Sequence, residues 1–132
     1  MFTFKKAERI TSLKEIDSLF ERGHSTGVNA YPLRAVYRIK PLPQDSHEPA
    51  IKVLVSVAKK RLHHAVDRNR AKRQIREAYR LQHQELSALL QSQHKQMAIA
   101  FVWLATEPQP TASLFEAVNK ILLTIQERVK QN

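Results

Sequence analysis

Residues 55–77 read VSVAKKRLHHAVDRNRAKRQIRE and join the end of a predicted strand to a predicted helix. Valines alternate with other residues before Lys59, which is typical of a strand, and a helical pattern follows from His63 to about Gln91. Between Lys59 and Arg80 the chain contains nine Lys or Arg residues and two acidic residues. The segment therefore predicts one long helix with a high density of positive charge.

The positive residues fall mainly on one side of this helix, because residues spaced by three or four share a face. Ala71, Ile75, Ala78 and Leu89 are placed on the other side, where they can pack on a sheet. Like charges at this spacing repel one another, and exposed helices usually mix the two signs. The pattern therefore indicates that the phosphates of a polyanion neutralise the charged side. That side spans an arc of about 140° and contains Arg68, Asn69, Lys72, Arg73, Arg76 and Arg80.

Three further elements are predicted before this helix. Residues 12–23 form a first helix, with a capping box at its start and a glycine at its end. Residues 28–40 alternate as a strand, which Pro32 restricts to an edge or a bulge. Residues 51–57 alternate in the same way and are expected to pair with that strand as a hairpin. The proline-containing segment 41–49 is predicted as the loop between them.

A strand and a helix are predicted after the basic segment. Residues 97–104 form an apolar run typical of a buried strand, and a capping box at Ser113 and Glu116 is expected to begin the last helix. This order of elements predicts an α+β fold of two layers in a single domain, residues 1–132. The last helix has an apolar stripe suited to packing on the sheet, formed by Leu114, Val118, Ile121, Leu122, Ile125 and Val129.

The composition narrows the possible functions. The 132 residues carry a net charge of +10, which favours a polyanionic partner such as RNA, DNA or an anionic membrane surface. Two glycines are too few for a glycine-rich phosphate loop, and the absence of cysteine excludes disulfides and thiolate metal sites. No apolar run reaches the roughly 18 to 20 residues that span a bilayer, and the N-terminus lacks the features of a signal peptide. We therefore expect a protein that does not associate with membranes and acts in the cytoplasm.

Residues 55–77 closely resemble the signature of the bacterial ribonuclease P protein component. Residues 4–23, FKKAERITSLKEIDSLFERG, are also similar to the opening of that family, and the resemblance extends over about residues 4–105. A single Arg-Asn-Arg motif would support this resemblance only weakly, but the whole run of residues at this spacing is specific to the family. The core of the signature is Arg68-Asn69-Arg70 with Lys72-Arg73 and Arg76-Glu77, preceded by Lys59-Lys60 and Ala65-Val66.

The resemblance implies a fold, a set of partners and a reaction. The fold would be a two-layer αβββαβα sandwich with a four-stranded sheet and the long basic helix. The protein would be a non-catalytic subunit of an endoribonuclease, bind the ribonuclease P RNA and the 5′ leader of precursor tRNA, and be a monomer in the holoenzyme. Catalysis would lie in the RNA, with Mg²⁺ held mainly by the RNA and none bound by the protein alone.

The resemblance also implies two sites. A groove with positive charge and aromatic faces suits a single-stranded leader, since stacking contributes about 1–3 kcal/mol per base. The chain departs from the family at Ile16 and Arg34, where aromatic residues are usual, and at Leu54, where glycine is common; core packing is the alternative role for Phe20 and Tyr31. The RNA-binding site would contain Lys59, Lys60, Arg61, Arg68, Asn69, Arg70, Lys72, Arg73 and Arg76. The leader cleft would contain Arg9, Ile16, Phe20, Tyr31, Arg34, Lys52 and Ser56.

Other functions agree less well with these residues. A structural RNA-binding protein of the ribosome or of its assembly would share the basic helix but not the combined N-terminal and central signature. A DNA-binding domain would need helix-turn-helix spacing or dimerisation heptads, which we do not find. His63 and His64 point about 100° apart on a helix, so we expect no metal site. Asp17, Asp45 and Asp67 lie on different predicted elements, so we expect no catalytic residues.

Overall fold

The computed structural model describes residues 25–43 and 48–131, which form a four-stranded sheet with helices packed on one face. The predicted first helix, residues 12–23, lies outside the described residues. The order of the described elements confirms the predicted α+β class. They are β1 (Thr26–Ala30), β2 (Leu33–Pro41), β3 (Ile51–Ser56), α1 (Ala65–Gln82), α2 (Gln84–Ser92), β4 (Lys95–Trp103) and α3 (Thr111–Lys130).

The sheet has the order β1-β2-β4-β3, with β2 and β4 in its interior. The predicted hairpin between residues 28–40 and 51–57 is wrong, because β4 lies between those strands. β4 buries residues on both of its faces, such as Met97 and Ala100, so its apolar sequence favours an interior position. β3 and β4 are parallel, since α1 and α2 connect them as a crossover.

The strand predicted over residues 28–40 is divided by a turn at Tyr31 and Pro32. Proline has no N–H to donate to a strand ladder, and here it separates β1 from β2 instead of lying at an edge or a bulge. The two strands fold back on each other, with Ala30 opposite Leu33. This turn supplies the additional strand that the family resemblance implies.

The helix predicted over residues 63–91 is divided at His83, since α1 ends at Gln82 and α2 begins at Gln84, although His83 keeps right-handed helical dihedral angles. His83 Nδ1 lies 3.2 Å from the carbonyl oxygen of Tyr79 and 3.1 Å from that of Arg80. Its ring also stacks on Tyr79, with 4.7 Å between the centroids. The imidazole nitrogen is thus within hydrogen-bonding distance of two carbonyl oxygens at the end of α1, where carbonyl groups lack partners within the helix. Leu89, predicted on the apolar side of the basic helix, therefore belongs to α2.

The helices and the sheet share one hydrophobic core. Tyr79 of α1 meets Phe101 of β4 edge to face, with 6.1 Å between ring centroids. The apolar stripe predicted for the last helix is confirmed, since all of its residues are buried in α3. The core thus fixes α1 and α3 on the same face of the sheet. The opposite face of the sheet is not covered by these two helices.

The capping box predicted at Ser113 and Glu116 is wrong. α3 begins at Thr111, and the N–H of Ser113 donates to the carbonyl oxygen of Pro110 at 3.0 Å. Proline is tolerated at a helix start, where a free N–H is not needed. The helix begins directly after Pro110, so Ser113 falls inside its first turn.

Candidate nucleic-acid interface

α1 presents an apolar side to the core and a charged side away from it. Asn69, Arg70 and Arg73 are exposed, while Lys72 and Arg76 are partly exposed; we call these five residues the basic face. The predicted separation into an apolar and a charged side is therefore confirmed for α1. The buried residues of the helix are Ala71, Gln74, Ile75, Ala78 and Tyr79.

Two glutamines fix the direction of the basic face by holding α1 against α3. The Nε2 of the buried Gln74 donates to the carbonyl oxygen of Gln109 at 3.0 Å and to Oγ1 of Thr111 at 3.1 Å. Gln82 Nε2 donates to the carbonyl oxygen of Phe115 at 3.0 Å. A buried amide donor without a partner would be costly, so these bonds favour one docking of the helix. The helical pattern alone gave no signal for either contact.

Arg68 contacts the backbone of the loop before α1. Its Nη1 donates to the carbonyl oxygens of Leu62 and His63, each at 2.9 Å. Because Leu62 is buried, these bonds fix the loop before α1 to the helix. That loop carries the exposed residues Lys59 and Lys60. One edge of the Arg68 guanidinium is thus used within the protein, and Arg68 positions the cations of the loop.

The remaining predicted cations lie in a tight turn directly before α1. The N–H groups of Arg61 and Leu62 both donate to the carbonyl oxygen of Ala58, at 3.0 and 3.3 Å. This turn exposes Lys59 and Lys60 and leaves Arg61 partly exposed. The structure therefore places all three cations at the N-terminal end of the helix that carries the basic face.

An ion pair limits the positive charge toward the end of α1. Arg80 Nε donates to Oε2 of Glu77 at 3.0 Å, and a second guanidinium nitrogen contacts the other carboxylate oxygen. Hydrogen bonding to Arg80 lowers the pKa of the Glu77 carboxyl, and the same bond raises the pKa of Arg80. Arg80 belongs to the predicted charged arc, but Glu77 compensates its charge. The net positive charge therefore lies toward the beginning of α1.

The long side chains of the basic face enclose an open depression on the surface of α1. It has a volume of about 450 Å³, and every charged residue that lines it is positive. The structure thus brings together four residues of the predicted RNA-binding site with one apolar residue that was not predicted there. The lining residues are Val66, Asn69, Lys72, Arg73 and Arg76.

The described residues of the predicted leader cleft lie on or beside the sheet face opposite the helices, which we call the outer face. Strand residues alternate between the two faces, and the register places Arg34 and Ser56 in one cross-strand row through Val102. Tyr31 lies in the adjoining β1–β2 turn and is 72% exposed. Lys52 lies farther along the face, opposite Ala98. Three predicted cleft residues lie outside the described part of the chain: Arg9, Ile16 and Phe20.

An apolar row separates the positive residues of the outer face. Arg34 lies on one side of it, and a Cβ added to Gly27 would lie 3.6 Å from Arg34 Nη2, so this guanidinium extends over β1. Arg38 and Lys52 lie on the other side. Arg38 was missed as a site residue, although the alternation in the sequence places it on the same face as Arg34. The apolar row consists of Val36, Ala100 and the family departure Leu54.

Lys52 is held by a carboxylate beside β3. Its Nζ lies 3.5 Å from Oε1 of Glu48, whose Oε2 accepts a hydrogen bond from Nε2 of Gln96 at 3.1 Å. Gln96 is buried and also donates to the carbonyl oxygen of Pro49 at 3.0 Å. The hydrogen bond from Gln96 and the charge of Lys52 lower the pKa of Glu48. Lys52 is therefore part of a local network as well as a residue of the outer face.

The described part of the chain contains neither a metal-binding cluster nor a membrane-spanning helix. Within 25–43 and 48–131 there is no group of three His, Cys, Asp or Glu side chains placed to hold a metal ion. Across the same ranges, no helix is both long and apolar enough to cross a bilayer. The predictions that the whole chain binds no metal and supplies no catalytic residue remain predictions.

Together, the fold and the basic face define a small α+β protein built to bind a polyanion. The family model described as ribonuclease P matches residues 4–126. The chain is 40% identical over 129 residues to the ribonuclease P protein component of Porphyromonas gingivalis, covering 97% of this chain and 90% of that protein. It is 34% identical over 107 residues to that of Chlorobium phaeobacteroides, with 76% and 72% covered. The chain belongs to the bacterial ribonuclease P protein family.

A solved structure shows the same fold. The ribonuclease P protein of Staphylococcus aureus matches with a TM-score of 0.58 at 20% identity, covering 91% of this chain and 95% of that chain. Membership of the family makes this chain a subunit of the tRNA-processing endoribonuclease ribonuclease P, with the ribonuclease P RNA as its partner. The alternative of a ribosomal or ribosome-assembly protein finds no support in these relatives.

Proposed function

We propose that the basic face, together with Lys59, Lys60 and Arg61, binds phosphates of the ribonuclease P RNA. The observation that carries this proposal is the depression on α1, which Lys72, Arg73 and Arg76 line and to which no carboxylate contributes. Arginine suits this task because its planar guanidinium donates two hydrogen bonds to one phosphate. In this arrangement Arg68 holds the loop and can still contact RNA with its remaining N–H groups.

Reconstitution tests this assignment directly. Purified protein is added to ribonuclease P RNA at a low Mg²⁺ concentration, and cleavage of precursor tRNA is measured. We expect the protein to stimulate cleavage, and its affinity for the RNA to fall steeply with salt, by about 0.7 to 0.9 log units per phosphate contact for each log unit of salt. A protein that neither binds the RNA nor stimulates cleavage would refute the proposal.

The outer face is proposed to receive the 5′ leader of precursor tRNA. Three features support this: the exposed ring of Tyr31, the guanidinium of Arg34 and the hydroxyl of Ser56, which lies two strands from Arg34 in the same cross-strand row. An aromatic ring stacks on any base, and a positive groove follows the backbone, which suits a leader of variable sequence. The test compares the affinity of the holoenzyme for precursor tRNA and for mature tRNA, which has no leader. Equal affinities would argue against a leader site.

The RNA is proposed to hold the Mg²⁺ ions that the reaction requires. This assignment follows from the place of the chain as a subunit beside the ribonuclease P RNA. The protein then contributes charge and orientation, and acts as a monomer within a cytoplasmic holoenzyme. Replacing the helix carboxylates, by Asp67→Asn and Glu77→Gln, should leave the cleavage rate at saturating protein unchanged. The mass of the purified holoenzyme reports whether one protein subunit is bound per RNA, and cell fractionation reports the compartment.

A further inference from the structure

Val66 is an unusual residue for a helix side that binds phosphates. It is 76% exposed, the highest value among the large hydrophobic residues in the described part of the chain. A single exposed apolar residue is ordinary in itself. Here, however, it lines the same depression as Lys72, Arg73 and Arg76. A phosphate placed against its methyl groups would lose hydration without gaining a hydrogen bond.

The depression therefore suits a ligand that presents an apolar surface and a negative charge close together. A nucleotide has both, in the face of its base and in its phosphate. Asn69 lies three residues after Val66, so the two side chains are neighbours on the helix surface. The carboxamide of Asn69 offers a donor and an acceptor, which is what the edge of a base requires.

We propose that the depression holds one unstacked nucleotide of the ribonuclease P RNA, with its base on Val66 and Asn69 and its phosphate toward Lys72, Arg73 and Arg76. This inference rests on the proposed function of the basic face. A regular RNA duplex fits the depression less well, because its bases are stacked and its major groove is too narrow for side chains. The volume of about 450 Å³ lies within the range of sites that hold small ligands.

The experiment compares wild-type protein with Val66→Thr, which exchanges one methyl group for a hydroxyl and keeps the β-branched shape. Val66→Ile retains an apolar side chain and serves as the matched control. Leu123→Thr, at a residue that is 48% exposed on α3, controls for the loss of an exposed apolar residue elsewhere. Each protein is added at saturation to ribonuclease P RNA, and base reactivity and backbone cleavage are mapped by chemical probing.

We expect wild-type protein and both controls to protect at least one unpaired base from modification. Val66→Thr should lose that base protection while the backbone protections persist, and its affinity should fall about three- to fivefold, as for losing the contact of one methyl group. Identical base protections with Val66→Thr and wild type, or protection confined to paired nucleotides, would overturn the inference. Absence of any protection by wild-type protein would instead contradict the proposed function itself.

Discussion

The basic face of α1 and the outer face of the sheet both carry positive charge, but they differ in how that charge is arranged. On α1, residues spaced by three or four place several cations on one side, and Glu77 is already paired with Arg80. On the outer face, the cations are separated by an apolar row, and Lys52 is paired with Glu48. A helix can therefore concentrate charge for a structured polyanion, whereas a sheet combines fewer charges with flat apolar surface. The two surfaces should respond differently to substitution.

The largest expected effect is on α1. Replacing Arg70 and Arg73 together by alanine should weaken binding to ribonuclease P RNA by about 100-fold or more, since a hydrogen bond to a charged group contributes about 1.5–3 kcal/mol and each arginine loses at least one. Titration of RNA affinity against salt should give a slope smaller by about 0.7 to 0.9 per arginine. Lys120→Ala with Lys130→Ala removes the same charge from α3 and is the control. Equal losses in the two double variants would show that net charge, not the basic face, determines affinity.

A smaller and more selective effect is expected on the outer face. Tyr31→Ala should weaken binding of precursor tRNA about tenfold, because stacking on one base contributes about 1–3 kcal/mol. Tyr31→Phe keeps the ring and should bind like wild type. The affinity for mature tRNA, measured with the same holoenzymes, should not change in either variant. If Tyr31→Ala weakens both tRNAs equally, the ring contacts something other than the leader.

Substitution of Arg68 tests whether this cation, which lies beside the basic face, stabilises the fold. Arg68→Ala removes two hydrogen bonds to the loop, so we expect the free energy of unfolding to fall by about 1 kcal/mol and the midpoint of thermal unfolding by about 3–6 °C. Arg70→Ala should leave the midpoint unchanged, since Arg70 is exposed. Thermal unfolding followed by circular dichroism compares the two. Equal midpoints would mean that the loop is held without Arg68.

The smallest effect concerns the carboxylate beside Lys52. The pKa of Glu48 is lowered from its ordinary value of 4.5, so its interactions stabilise the fold above that pH and are lost as the pH falls through the folded-state pKa. The unfolding midpoint of the wild type should therefore fall slightly more than that of Glu48→Gln when the pH is lowered from 5 to 3. Parallel curves for the two proteins would mean that Glu48 makes no net contribution.

Periodicity predicted the class of fold and the sides of the helices, because burial repeats with a fixed period along the chain. It could not predict which strands pair, since the position of β4 between β2 and β3 depends on contacts between distant residues. The break at His83 and the start of α3 directly after Pro110 were also missed, because both depend on local features that interrupt a periodic pattern.

Sequence patterns also did not distinguish the roles of single residues in the candidate site. The sequence treats Arg68 and Arg70 alike as members of one motif, whereas the structure separates them by the carbonyl groups that Arg68 reaches. Arg38 was overlooked although its alternation with Arg34 is visible in the sequence. Val66 was also overlooked, although its spacing of three and seven residues from Asn69 and Arg73 places it on the charged side of the helix.

The glutamine contacts between α1 and α3 have a kinetic consequence. Because the hydrogen bonds of Gln74 and Gln82 hold α1 against α3 before any partner arrives, this helix needs no rearrangement on encounter. With the helix already in place, the association rate is limited by diffusion and by the orientation of the two surfaces. Any slow phase seen when the two molecules are mixed should then originate outside the docking of α1 on α3.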